Sequence, residues 1–317
     1  MSVGGTGKSV RSDIARCVSV INQTRNRLFV ALRRARSRLL HSHPNSTLRM
    51  FLLLLYRPLH RWLSPAFLDV SVYGLSVRLP ATDDVILESV IREGHYQPFF
   101  TQLFVQSCQP GMTVVDVGAH VGLYTLLAAR RVLPHGRVFA FEPDPDNFAL
   151  LELNTRVNNL SWFVTARKIA LGNEEGIRPL YRDVRNSGCR SFNADNVAIL
   201  KDSISAEVTT LGRALSDHGC SKVDLIKVDV EGAEGLVFAG AWEVLESNPL
   251  SVFLEFWPTG MTRMGSDPFT FIVELMRRGF VIHAIEEGKR ILVPITDPVE
   301  AVKMAKPAIN LLVRRGA

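Results

Sequence analysis

Three short apolar runs, each closed by an acid and a turn residue, constrain this chain more than any other feature. They read Val114-Val115-Asp116-Val117-Gly118-Ala119-His120-Val121-Gly122, Val138-Phe139-Ala140-Phe141-Glu142-Pro143 and Val223-Asp224-Leu225-Ile226-Lys227-Val228-Asp229-Val230-Glu231-Gly232-Ala233-Glu234. Runs of this kind predict strands over 113–117, 137–142, 162–170, 223–230, 251–256, 280–284 and 309–313. Helical spacing falls between them over 123–132, 145–158, 211–217, 233–245 and 268–277. Strands that alternate with helices predict an α/β fold, a mostly parallel sheet with helices on both faces, whose ligands bind beyond the carboxyl ends of the strands. Upstream, 70–77 reads as a small hairpin around Gly74, and 83–92 and 99–108 as lead-in helices.

Composition sets the boundaries of that fold. Residues 1–64 hold 12 Lys and Arg against one acid, Asp13, whereas the remaining residues hold 25 against 30, so the net charge of +6 comes from the N-terminal segment. The chain therefore divides into a basic appendage, 1–64, helical or partly disordered, and a mildly acidic domain, 65–317, with 65–110 as its lead-in. An acidic body argues against a nucleic-acid partner, which needs its basic groove on the folded domain. Within the appendage, apolar residues at helical spacing alternate with arginines over 14–40, a pattern suited either to a solvated helix or to peripheral contact with an anionic membrane. The longest apolar run, Met50 to Tyr56, has 7 residues, and a membrane span needs roughly 20. Four scattered cysteines without a CxxC pair predict a reducing, cytoplasmic compartment and no zinc site. The opening MSVGGTGKS lacks the first glycine and the preceding strand of a phosphate-binding loop, so no nucleotide-triphosphate site is expected there.

Each motif carries its own chemistry. The first delivers Asp116 on a strand, turns at Gly118 and opens a helix after Gly122. His120 stands where a dinucleotide fold would have its middle glycine. Asp116 would also repel a pyrophosphate, whereas it would attract the ammonium and sulfonium of S-adenosylmethionine. Glu142 ends a second strand, where a carboxylate accepts hydrogen bonds from ribose hydroxyls. Period-two geometry over the third motif places Lys227, Asp229 and Glu231 on one side of a strand, and Lys227 needs an acidic partner to be buried there. The bland alternative for this trio is an ion pair that only supports the fold. Residues 172–207 break the rhythm and read as a long loop, a lid or short hairpins over the carboxyl edge.

These three motifs, DVGAHVGLYT (Asp116 to Thr125), FEP (Phe141 to Pro143) and IKVDVEGAE (Ile226 to Glu234), resemble the FkbM family of S-adenosylmethionine-dependent methyltransferases. The resemblance implies a class I methyltransferase fold of seven strands, the last antiparallel, and methyl transfer to a hydroxyl of a sugar, glycan or secondary metabolite. It also implies that Asp116, Gly118, Ala119, His120 and Gly122 surround the methionine part of the cofactor. Glu142 and Pro143 would meet the ribose, and Ala170 and Leu171 the adenine. Asp229, Glu231 and Lys227 are the expected catalytic set, with His120 a rival base. Asp229 and Glu255 alone make a thin magnesium site, so a metal-free mechanism is favoured. Three residues depart from the family pattern: His120 where Asn is common, Gln97 where an acid is common and Gly212 where Asp is usual. A nicotinamide-dependent oxidoreductase and a non-catalytic, membrane-attached cofactor-binding module are the alternatives.

Overall fold

Every apolar run of the three motifs becomes a strand of one sheet in the computed structural model, which describes residues 23–35, 64–83, 85–184 and 186–315. Its order is β13-β12-β14-β11-β10-β3-β4-β5, with β3 (Thr113–Val117), β4 (Arg137–Phe141), β5 (Val164–Arg167), β10 (Leu225–Val228), β11 (Ser251–Phe256), β12 (Phe280–Glu286), β13 (Ile291–Ile295) and β14 (Ile309–Arg315). The pairs β5/β4, β4/β3, β3/β10 and β10/β11 are parallel. β14 runs antiparallel between β11 and β12. The seven expected strands and the antiparallel last one are thus present, and β13 adds an eighth at the edge through a hairpin with β12. Val114, Val115, Val252, Phe253 and Leu254 are all fully buried, as middle strands covered on both faces require.

Three other expectations change. The strand expected over 162–170 is two: a single helical turn, Ser161–Phe163, precedes β5, and β6 (Ala170–Leu171) leaves for a different sheet. Of the alternatives for 172–207, the structure takes the hairpin and not the loop: β7 (Gly176–Asp183) and β9 (Leu200–Thr209) pair antiparallel along most of their length, with β6 and β8 (Arg190–Ser191) completing a sheet ordered β6-β9-β7-β8. Most residues of β7 and β9 keep some exposure to solvent, and a sheet with a wet face does not announce itself by an apolar run. The helix expected over 233–245 is broken at Gly240 into Glu234–Ala239 and Trp242–Ser247.

The chain forms two compact units, residues 1–70 with 79–94 and residues 71–78 with 95–317. In the first, the helix over 23–35 buries Phe29 completely. Its Arg33 and Arg34 guanidinium groups donate to the Ala81 and Ile91 carbonyls at 3.1 Å each, so two of the basic residues serve this unit internally. The rest of the 1–64 appendage and of the 14–40 stretch lies outside the described residues, apart from Ser64. Among the described residues no helix is long and apolar enough to cross a membrane.

Local sequence explains how the second unit holds its functional edge. Asp144 caps the helix Pro145–Val157, accepting from the Asp146 and Asn147 amides at 2.8 and 3.2 Å, with Pro145 at the first helical position. Arg190 from β8 pairs with the same carboxylate at 2.7 Å, which ties the small sheet to the carboxyl end of β4.

Candidate active site

The three motifs interlock at one edge of the sheet. Registers Asp116↔Lys227 and Val117↔Val228 join β3 to β10, and Lys227↔Phe253 and Val228↔Leu254 join β10 to β11. One residue further along each strand, Asp229 and Glu255 therefore emerge side by side. Gly118, at φ +76°, passes so close to the third motif that a Cβ there would stand 1.8 Å from the Asp229 carbonyl oxygen. The Gly118 and Ala119 amides both donate to the Phe141 carbonyl at 3.0 Å, so the first turn is pinned to the second motif as well. Gly122 begins the helix Leu123–Val132 at φ +93°, where a Cβ would meet Leu151 at 2.5 Å.

Glu142 completes this cradle. It is 4 % exposed and accepts from the His120 amide at 2.8 Å and from the Asp144 amide at 2.9 Å. Burial drives its pKa up to about 7, against the pull of those amides. Oε1 also takes the Asn147 side-chain amide at 3.5 Å, so the lone pair left for a further donor is on Oε2. Pro143 follows and turns the chain toward the helix that Asp144 caps. His120, at φ +52°, points its Nε2 to the Ser187 hydroxyl at 2.7 Å.

Asp116 lies deeper than the sequence suggested, and Lys227 is buried as its place in the strand required. Asp116 is fully buried on β3 and faces the protein: Thr125 donates to its Oδ2 at 2.6 Å, and Lys227 Nζ stands 3.7 Å from Oδ1. Burial raises its pKa, with Lys227 and Thr125 opposing. Lys227 has the acidic partners its position demanded, Asp229 Oδ2 at 3.3 Å and Asp116, and its ammonium lies 5.1 Å from the centre of the Tyr124 ring. Burial works against its charge, but Asp229 and Asp116 outweigh it and hold the pKa above the ordinary lysine value.

The strand ends before the acids do. β10 stops at Val228, and Glu231 sits in a left-handed turn at φ +53°, so period-two alternation does not carry its side chain to the site. The turn does: oxygens of Asp229, Glu231 and Glu255 lie within 4.8 Å of one another. That is one carboxylate more than the Asp229 and Glu255 pair expected from sequence. Burial, then the neighbouring Asp229, lifts Glu231 to about 8. Glu255 is pushed well above the ordinary carboxylate range by the same two causes, with Glu231 third. Glu234, fully buried, receives the Gly232 amide at 3.1 Å and is raised to about 7, chiefly by burial. The site thus collects carboxyl groups with enlarged proton affinity around a single ammonium, an arrangement able to take up a proton near neutrality.

Ala170 and Leu171, expected near an adenine, form β6. Both are buried, and Leu171 belongs to the main hydrophobic core. Sequence reasoning missed Ser187, Arg190, Ser191 and Asn196, because they lie in polar β8 and its flanks, which have no periodicity. They reach the site nonetheless: Asn147 donates to the Ser187 carbonyl at 2.8 Å, and Ser191 and Asn196 donate to the Glu231 carbonyl at 2.8 and 3.1 Å.

A glycine turn after the first parallel strand, acids closing the neighbouring strands and an antiparallel strand lodged beside β11 define an α/β domain of the methyltransferase type. Residues 116–282, more than half of the chain, match the methyltransferase FkbM domain. The chain belongs to the FkbM methyltransferase family. It is 28% identical over 155 residues to Methyltransferase 1 of Beauveria bassiana, a match that covers 42% of this chain and 61% of that protein. Similarity to the 31-O-demethyl-FK506 methyltransferase FkbM of Streptomyces tacrolimicus is 26% identity over 185 residues, 47% of this chain and 70% of the relative. The hexuronic acid methyltransferase AglP of Haloferax volcanii is 24% identical over 186 residues, 58% of this chain and 71% of its own length. Family membership sets the nicotinamide-dependent oxidoreductase aside.

Proposed function

We propose that the protein is an S-adenosylmethionine-dependent methyltransferase that methylates a hydroxyl oxygen on a sugar, glycan or secondary metabolite. The observation that carries this reading is the cradle itself: Glu142 accepts the amide of His120, so the ribose acid and the glycine turn of the first motif form one unit. Its donor set fits the cofactor. Acids dominate the edge and Lys227 is neutralised by two of them, which suits a ligand with an ammonium and a sulfonium and opposes a pyrophosphate. The relatives named for 31-O-demethyl-FK506 and for a hexuronic acid support a hydroxyl acceptor of this class.

Bound there, S-adenosylmethionine supplies an electrophilic methyl group. Gly118, Ala119 and Gly122 would form the turn that meets its amino-acid end, Gly118 and Gly122 packed against the Asp229 carbonyl and Leu151, and Glu142 would hold the ribose through Oε2. Asp116 acts through Lys227 and Thr125, fixing the ammonium that in turn orients Asp229. As the acceptor oxygen took the methyl group, the S–CH3 bond would break with its electron pair returning to sulfur and S-adenosylhomocysteine leaving as the neutral thioether. The hydroxyl proton would pass to the carboxyl cluster of Asp229 and Glu231, and most of the acceleration would come from holding the two partners in line. The acceptor hydroxyl lies against the Asp229, Glu231 and Glu255 edge, and the small sheet forms its cover.

Calorimetric titration with S-adenosylhomocysteine tests the cofactor assignment. Glu142→Gln keeps an acceptor for the His120 amide and should weaken binding by about 1–3 kcal/mol, the range for a lost charged hydrogen-bond partner. Equal affinity in wild type and variant sinks it. Transfer of tritiated methyl to a panel of uronic-acid and macrolide alcohols tests the acceptor class. Single-turnover rates of Asp229→Asn and Glu231→Gln test the proton acceptors, and wild-type rates in both would remove them.

A further inference from the structure

Glu231 reaches Asp229 and Glu255 only because its backbone is left-handed, a conformation that a residue with a side chain adopts at a cost and keeps only when its surroundings impose it. The imposing groups belong to the small sheet. Ser191 Oγ and Asn196 Nδ2 converge on the Glu231 carbonyl, and the two are hydrogen-bonded to each other at 3.1 Å. Both are nearly inaccessible, Ser191 at 1 % and Asn196 at 5 % exposure. The Asn196 amide also approaches the Gly260 carbonyl at 3.3 Å. It lies so close to the turn that a Cβ on Gly232 would stand 2.6 Å from Nδ2. Neighbouring Asp195 is fixed independently, its carbonyl accepting from Arg263 at 2.7 Å. The donors are thus built into a docked segment and are not surface side chains that happen to meet the turn.

We propose that Ser191 and Asn196 are positioning residues for methyl transfer, clamping the Glu231 carbonyl so that the Glu231 carboxylate stands with Asp229 and Glu255 at the acceptor end of the cleft. The proposal rests on the reading of Asp229 and Glu231 as proton acceptors. It assigns the insertion between β6 and β9 a part in the chemistry itself: released from the two donors, the turn relaxes to an ordinary negative φ, and the carboxylate leaves its half-buried place among the other acids.

The test follows the Glu231 carboxyl directly in the full-length chain labelled with carbon-13 at glutamate Cδ, its resonance assigned through Glu231→Gln. Wild type should titrate with a midpoint of about 8. Ser191→Ala and Asn196→Ala should each lower that midpoint by at least one pH unit, because a freed carboxyl regains water. Arg178→Ala, which removes an ion pair with Glu174 from the same small sheet without touching Glu231 or the clamp, should leave it in place. A purely structural role would lower the melting temperature of the clamp variants and leave the Glu231 midpoint where it was, and that result in Ser191→Ala overturns the proposal. Ser191→Ala decides the matter should Asn196→Ala fail to fold, since it removes a single oxygen. Binding of S-adenosylhomocysteine is measured on the same samples. Clamp variants should bind it as wild type does, whereas a wild type that does not bind it refutes the methyltransferase reading and leaves the clamp standing.

Discussion

Replacing Lys227 by Met should destabilise the fold by about 3 to 5 kcal/mol, the range for removing one partner of a buried ion pair. The size follows from where the charges sit. Asp116 is fully buried, Lys227 is 4 % exposed and the two charged atoms are 3.7 Å apart, a separation worth about 4 kcal/mol at an effective dielectric constant near 20. The Asp229 side chain is 39 % exposed and screened by water, so its loss of the same cation adds little. Contact of the ammonium with the Tyr124 ring adds about 1 kcal/mol. Methionine recovers part of this by filling the space without the desolvation that an ammonium suffers. In a domain of this size the deficit corresponds to a fall in Tm of roughly 10 °C. The pH dependence has a definite sign. Burial already raises the Asp116 pKa, and loss of Lys227 removes a cause that lowers it. A carboxyl whose folded pKa exceeds its unfolded value destabilises the fold increasingly as pH climbs above about 4, and costs nothing when protonated in both states. The deficit should therefore be largest at neutral pH and shrink toward about pH 4. Asp116→Asn added to Lys227→Met should restore at least half of it, because the buried charge is gone while Thr125 keeps an acceptor. Guanidinium unfolding followed by circular dichroism at both pH values measures all three proteins. A neutral-pH deficit under about 1 kcal/mol, or a double variant no more stable than the single one, would refute the reasoning.

Two further substitutions probe the edge, and a third, on β7, serves as their control. Gly118→Ala places a Cβ 1.8 Å from the Asp229 carbonyl oxygen at a positive φ, and should lower stability by about 3 kcal/mol or more and abolish S-adenosylhomocysteine binding. Gly176→Ala, with no atom within 4 Å of the added Cβ, should stay within about 0.5 kcal/mol of wild type in the same melts. Glu234→Gln removes a carboxyl that burial raises to about 7. It should stabilise the protein by about 1–2 kcal/mol above pH 7 and by nothing near pH 4, since a raised folded pKa costs stability only once the unfolded chain ionises. Denaturation curves that run parallel at the two pH values would contradict it.

What the sequence made legible was whatever depends on short, strongly apolar segments. β3, β4, β10 and β11 are covered on both faces, so their runs were continuous and their boundaries fell within a few residues of the observed ones. Lys227 could be assigned acidic partners from burial alone. The small sheet stayed undecided between loop and hairpins for the opposite reason: β7 and β9 leave most positions partly in water, and Pro179 sits within β7. With that sheet went Ser191 and Asn196, and the cause of the turn at Glu231. Period-two reasoning placed Glu231 beside Asp229 for a reason that does not operate, because the strand had already ended at Val228. Asp116 was singled out for its charge, but nothing local tells whether a carboxylate at a strand end faces a ligand or a neighbouring strand; the register with Lys227 decides that.

The position of β14 governs the order in which the protein can be made. β3, β4, β5, β10 and β11 are all complete by residue 256, yet the strand that covers the open edge of β11 is not synthesised until residues 309–315. At about 5–20 residues per second, the ribosome leaves that edge without its partner for several seconds. The hairpin of β12 and β13 waits through part of the same interval, for it joins the large sheet only through β14. Leu311 and Val313, fully buried in the finished sheet, act as the closing wedge. A chain without residues 309–315 would present a bare backbone edge on β11, an invitation to pair with a second copy. Released chains ending at residues 300 and 317 would therefore be expected to differ sharply in protease resistance, although both contain every acid and glycine of the site.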